Sequence, residues 1–78
     1  MKASVAEKHM ENGETKLNEA DLDMAAFYFE EAGRRFAEDG NKASAIVAYE
    51  KVLYCYETDG KSERVDEIRG IISGLKNA

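Results

Sequence analysis

Between Ala25 and Tyr56 the chain runs AAFYFEEAGRRFAEDGNKASAIVAYEKVLYCY. Asp39-Gly40-Asn41 splits this segment into two apolar patterns of helical period. The first puts Ala25, Phe29, Ala32, Gly33 and Phe36 on one face; the second does the same with Ala45, Tyr49, Val52 and Tyr56. Each sets a small residue first, a large aromatic four positions on, and a small or medium apolar residue three further. An aromatic on one such helix fits over a small residue on its neighbour, so the segment predicts two closely packed helices.

Outward from this pair, the pattern continues more thinly. Ala6, Met10, Gly13, Leu17 and Ala20 form one narrow apolar stripe, and Val65, Ile68, Ile72 and Leu75 form another, with Ile71 on its edge. A narrow stripe belongs to a helix that packs on one side only, whereas the middle segments carry broad apolar faces. Helices are expected near 3–18, 22–38, 42–57 and 62–76. Ser4 with Glu7 has the spacing of a capping box. Asp21 or Asn18 suits the second start, Asn41 the third and Ser62 the fourth. Gly40 suits a left-handed helix end. Gly70 and Gly74, one turn apart, admit a close neighbour or mark a frayed turn. The short links favour antiparallel neighbours.

The chain has 78 residues, no proline, and few β-branched residues against many Ala, Glu, Lys and Leu. One all-α domain follows, of a size that buries only about 60% of its unfolded surface. The net charge of -5 is unevenly placed. Met1 to Ala32 sets Lys2, Lys8 and Lys16 against eight acids, while Gly33 to Ala78 carries eight of each sign. Such an acidic half repels a phosphate backbone, so no nucleic-acid partner is expected. Cys55 is the only cysteine, which rules out an internal disulfide and favours a cytoplasmic location. It is expected to pack as a small hydrophobe. No apolar run approaches the length of a membrane span, and the polar N-terminus is unlike a signal peptide.

Signals for chemistry are thin. His9 is the only histidine, so no His/Cys metal cluster and no cofactor is expected. Glu7 with Glu11, and Glu30 with Glu31, read as solvated charge, with nothing apolar placed to raise one carboxyl. There is no glycine-rich phosphate loop. Phe27-Tyr28-Phe29 covers most of a half-circle of its helix. Either the helix is sandwiched between two neighbours, or Phe27 or Tyr28 stays exposed as an anchor for a partner.

The residues resemble a tetratricopeptide-type helical repeat, including the longer-helix soluble attachment proteins of vesicle fusion. Gly33, Phe36, Gly40-Asn41, Ala45, Tyr49 and Val52 match the repeat in register, as do Gly13, Leu17, Ala20-Asp21, Ala25, Phe29 and Ala32. The run from Gly40 to Tyr49 is also similar to the microtubule-interacting-and-trafficking domain. The resemblance implies stacked helical hairpins. The copies here are offset by 20 residues (Ala25 and Ala45) and not by the repeat's usual length, which leaves a compact four-helix bundle as the other arrangement. The repeat family's carboxylate clamp is not carried over: at those positions stand Met10, Glu11, Glu14, Glu30, Glu31 and Arg34, of which only Arg34 pairs with a carboxylate.

The functional expectation is a non-catalytic adaptor that binds a partner helix or peptide segment. Its candidate partner-binding residues are Phe27, Tyr28, Glu30, Glu31 and Arg34. A basic amphipathic helix is the ligand the acidic half suits. The alternative is a structural or self-associating bundle, so the expected state is a monomer or a weak homodimer.

Overall fold

The structure, a computed structural model, describes residues 4–77. Four helices follow one another: α1 (Val5–Asn18), α2 (Leu22–Glu38), α3 (Lys42–Asp59) and α4 (Ser62–Asn77). The expected start of the first helix at residue 3 lies outside the described residues. Ser4 and Glu7 form the reciprocal capping box, and the Asp21 and Asn41 side chains accept from the backbone N–H groups of Met24 and Ser44. Ser62 does not stand outside α4 as a cap. It is the first helical residue, and Lys61 takes the flanking position.

All three turns are built alike. The backbone N–H groups of Asp21, Asn41 and Lys61 each bond back five residues, to the carbonyls of Lys16, Phe36 and Tyr56, all at 2.9 Å. The residue before each donor is left-handed: Ala20 (φ 61°), Gly40 (φ 79°) and Gly60 (φ 75°). This arrangement satisfies carbonyls that a helix end otherwise leaves bare. Glycine takes this backbone without penalty, but an alanine pays for its Cβ. Ala20 is thus the exposed hinge of the first turn and not the last member of the α1 stripe.

The turns recur every 20 residues, and so does the packing. A Cβ placed on Gly13 would stand 2.6 Å from the Phe29 ring, and one on Gly33 would stand 2.8 Å from the Tyr49 ring. Each aromatic lies 16 residues after its glycine, on the next helix. The absent side chain is what lets the ring reach the neighbouring backbone. By contrast, Cβ atoms at Gly70 and Gly74 would meet nothing within 4 Å among the described residues, so none of these approaches either of them.

The broad-faced helices are central, as their patterns predict. α2 buries Ala25, Ala26, Phe29, Ala32, Gly33 and Phe36, and α3 buries Ala45, Ala48, Tyr49, Val52 and Cys55. α1 contributes Ala6 and Gly13, and α4 contributes Val65, Ile68 and Ile72. Phe29, Ile68, Val52 and Cys55 are the largest side chains sealed from solvent. Complete burial of one such side chain stabilises by about 1.5–3 kcal/mol.

Helices pack in series: α1 on α2, α2 on α3, α3 on α4. Among the described residues α1 and α4 do not pack together, so the series is not closed into a ring. The molecule is compact, with a radius of gyration of 11.9 Å, yet flat, measuring 35 × 30 × 12 Å across its Cα atoms. Alternate helices are bridged by ion pairs: Glu14 to Lys51 joins α1 to α3, Glu30 to Arg64 joins α2 to α4, and Asp23 to Lys61 joins α2 to the residue that precedes α4. Two faces result, one carrying α1 and α3, the other α2 and α4.

Candidate functional site

The run Phe27-Tyr28-Phe29 is divided three ways by the α2 helix. Phe29 faces inward and is fully buried. Tyr28 is half-buried and turns towards α1, where it stacks on His9 with centroids 6.4 Å apart and planes 27° from parallel. Phe27 turns outward and remains 52% exposed, edge-on to Tyr28 at 5.4 Å. Met24, one turn earlier on the same face, is also exposed. Tyr28 is thus anchored in the fold, and Phe27 is the aromatic of this run that folding leaves available.

The three charged candidates do not assemble around Phe27 as free groups. Glu30 receives both carboxylate bonds from one Arg64 nitrogen, at 2.9 Å each, and the Tyr56 hydroxyl donates to it at 3.4 Å. The Arg64 guanidinium also lies 5.4 Å over the Tyr56 ring. This is a knot between α2, α3 and α4, not solvated charge. Burial, followed by the Glu30 carboxylate, pushes the Tyr56 hydroxyl above its ordinary pKa. Glu31 pairs with Arg34 at 3.0 Å, one turn along α2, and Arg34 also reaches Glu30 at 3.9 Å. Nearby, the hydrogen bond from Lys61 holds the Asp23 carboxyl below the usual carboxylate range.

The sequence pattern reads Glu31 as solvated charge and does not pair it with Arg34, although their i,i+3 spacing within one helix permits the contact. It had no means of foreseeing Glu30–Arg64, whose partners stand 34 positions apart on different helices. The signal that existed was indirect: Tyr56 and Glu30 both border the broad faces of central helices.

The opposite face, made by α1 and α3, has a different make-up. Glu7, Glu11 and Glu14 fall at i, i+4 and i+7 on α1, and Val47, Lys51 and Tyr54 fall at the same spacing on α3. The bridge from Glu14 to Lys51, at 2.9 Å, sets these two strips side by side. The Lys51 ammonium also lies 5.8 Å above the Phe29 ring, which forms the floor between them. Val47 is 47% and Tyr54 57% exposed. Beneath, Cys55 is buried, and burial followed by the Glu14 charge pushes its thiol up. A raised thiol is a poor nucleophile at neutral pH.

A surface hollow of about 350 Å³ lies at the α3–α4 turn, lined by Tyr56, Glu57, Gly60, Ser62, Val65 and Asp66. It gathers none of the candidate residues. Among the described residues no group of three or more His, Cys, Asp or Glu side chains is placed to hold a metal ion, and no helix is long and apolar enough to cross a membrane. No family model matches the chain, and no curated protein or solved structure is significantly similar to it.

Proposed function

We propose that this chain is a non-catalytic protein-interaction module, related in architecture to tetratricopeptide-type hairpins, that docks a helix or peptide segment of a partner through the outer strip of α2. The observation that carries this reading is the exposure of Phe27. A large aromatic left half in solvent, beside exposed Met24 and braced edge-on by Tyr28, adds nothing to the core. Aromatic residues of this kind supply most of the affinity at interfaces. Arg34 and Glu31 close one end of the strip with a surface ion pair. Such pairs contribute little to stability and re-form readily around a ligand. The serial packing and the repeated glycine–aromatic contact support the hairpin kinship. The single cysteine suits a reducing compartment, for which the cytoplasm is the reading we adopt.

The test is affinity capture with the wild-type chain and with Phe27→Ser, alongside light scattering of each over a wide concentration range. We expect a specific partner to be retained by the wild type and lost by Phe27→Ser, both chains being concentration-independent monomers. Retention unchanged by the substitution would overturn the reading. Self-association of the wild type that Phe27→Ser abolishes would replace it with the second reading, a self-assembling helical unit.

A further inference from the structure

The two faces of the molecule are built on the same plan and finished differently. Each presents two alternate helices over a central one with a buried aromatic between. On the α2/α4 face the walls are drawn together by two ion pairs, Asp23–Lys61 and Glu30–Arg64, and the Tyr56 hydroxyl closes on Glu30. On the α1/α3 face one pair, Glu14–Lys51, is the only bridge among the described residues. Beside it Glu7 and Glu11 are exposed and carry no ion pair among the described residues. Across from them stand Val47 and Tyr54, both about half in solvent. Two exposed carboxylates along one wall, Glu11 and the Glu7 that caps the Ser4 N–H, and two apolar groups seven residues apart along the other make a surface with a definite complement.

We propose that the α1/α3 face is a second docking surface, separate from the Phe27 strip, whose occupant is a basic amphipathic helical segment of a partner protein. Its apolar side chains, two turns apart, seat against Val47 and Tyr54. Its lysines or arginines lie along Glu7 and Glu11, where the acidic half of the chain steers them in. The helical register fits: Val47 and Tyr54 are separated by two turns of α3, the spacing at which an amphipathic helix repeats its apolar contacts. Lys51, held between them by Glu14 and the Phe29 ring, is the cation of the Val47–Lys51–Tyr54 strip. It fixes the occupant's charged residues on the α1 side. The face does not depend on Phe27, which lies on the other helix layer.

The probe is a synthetic amphipathic peptide of about 18 residues with leucine on one face and lysine on the other, together with a counterpart whose lysines are replaced by glutamate. Binding is read by fluorescence anisotropy at low and high salt, and the site is read by amide chemical-shift mapping on the intact chain. The lysine peptide is expected to bind and to shift resonances around Glu7, Glu11, Val47 and Tyr54. Val47→Ser/Tyr54→Ser should weaken it by about tenfold or more, and Glu7→Gln/Glu11→Gln should weaken it and flatten the salt dependence. Phe27→Ser should leave it unchanged. Because these positions are exposed, unchanged helical circular dichroism will verify that the variants fold. The proposal is overturned if the glutamate peptide binds equally, or if the serine pair leaves affinity intact. It is also overturned if the shifts centre on Met24 and Phe27, a result that would leave the interaction-module reading standing.

Discussion

The ring of Tyr49 occupies the space that a side chain at Gly33 would need, its Cε2 lying 2.8 Å from where a Cβ would stand. Tyr49 is a buried member of the core, only 6% exposed, so its ring has little room to yield. Gly33→Ala is therefore expected to destabilise by about 1–3 kcal/mol, although alanine is the better helix former by about 1 kcal/mol. Gly13→Ala, against Phe29, should behave alike. Gly70→Ala and Gly74→Ala meet open space and should stabilise, each by up to about 1 kcal/mol. Tyr49→Ala removes the ring itself and should lose about 3–5 kcal/mol. Urea denaturation of the five variants gives the order; a stabilising Gly33→Ala would contradict the close packing of α2 on α3.

Ala20 is an alanine where its two counterparts are glycines. With φ at 61° it bears the strain that Gly40 and Gly60 avoid. Ala20→Gly should raise stability by about 1 kcal/mol, and Gly40→Ala and Gly60→Ala should each lower it by a similar amount. Thermal melts of the three variants measure this directly. A loss of stability in Ala20→Gly would mean that the first turn is not the strained one.

The carboxylate of Glu30 is committed to Arg64 and Tyr56, so charge reversal there probes folding before it probes binding. Glu30→Lys sets a cation against Arg64 in a part-buried site and should cost about 1–3 kcal/mol. Glu31→Lys, on the surface, should change stability by no more than about 0.5 kcal/mol. Chemical denaturation of the two single variants separates these outcomes. Equal effects would show that the Glu30–Arg64 bridge contributes nothing to the fold.

Burial raises the pKa of Cys55, Tyr49 and Tyr56 alike, disfavouring the ionised form of each. For an acid whose folded pKa lies above its unfolded one, the native state holds the proton longer, so stability falls as pH rises through the unfolded pKa. The chain should therefore lose stability on the alkaline side, beginning at the ordinary thiol range, and Cys55→Ala should remove the first part of that decline. At neutral pH a thiol reagent should label native Cys55 slowly and denatured Cys55 quickly. Fast labelling of the native chain would place the thiol at the surface.

Helix number, order and central pair were legible from residue pattern alone, since a 3.6-residue period reports burial directly. Asp21, Asn41 and Gly40 announced their turns because their chemistry is local. What lay beyond pattern was anything decided by helix rotation or by distant partners. Periodicity put Phe27, Tyr28 and Phe29 on one broad arc; only the positions of α1 and α3 determine that Phe29 is sealed and Phe27 is not. The Glu30–Arg64 contact depends on how α4 returns past α2, which no local spacing encodes. Ala20 fitted the α1 stripe by count, yet the chain had already turned there, a fact carried only by its likeness in position to Gly40.

The series of helices, open between α1 and α4, also sets how the chain comes to be folded. The extensive packing is between consecutive helices, so no long loop must close before these contacts form. Such local topology belongs to the fast end of single-domain folding, on the order of microseconds to milliseconds. The α2–α3 hairpin, which holds Tyr49 against Gly33, is the natural nucleus. α1 and α4, each supported on one side, should add to it last and open from it first, so their amides should exchange with solvent ahead of the rest.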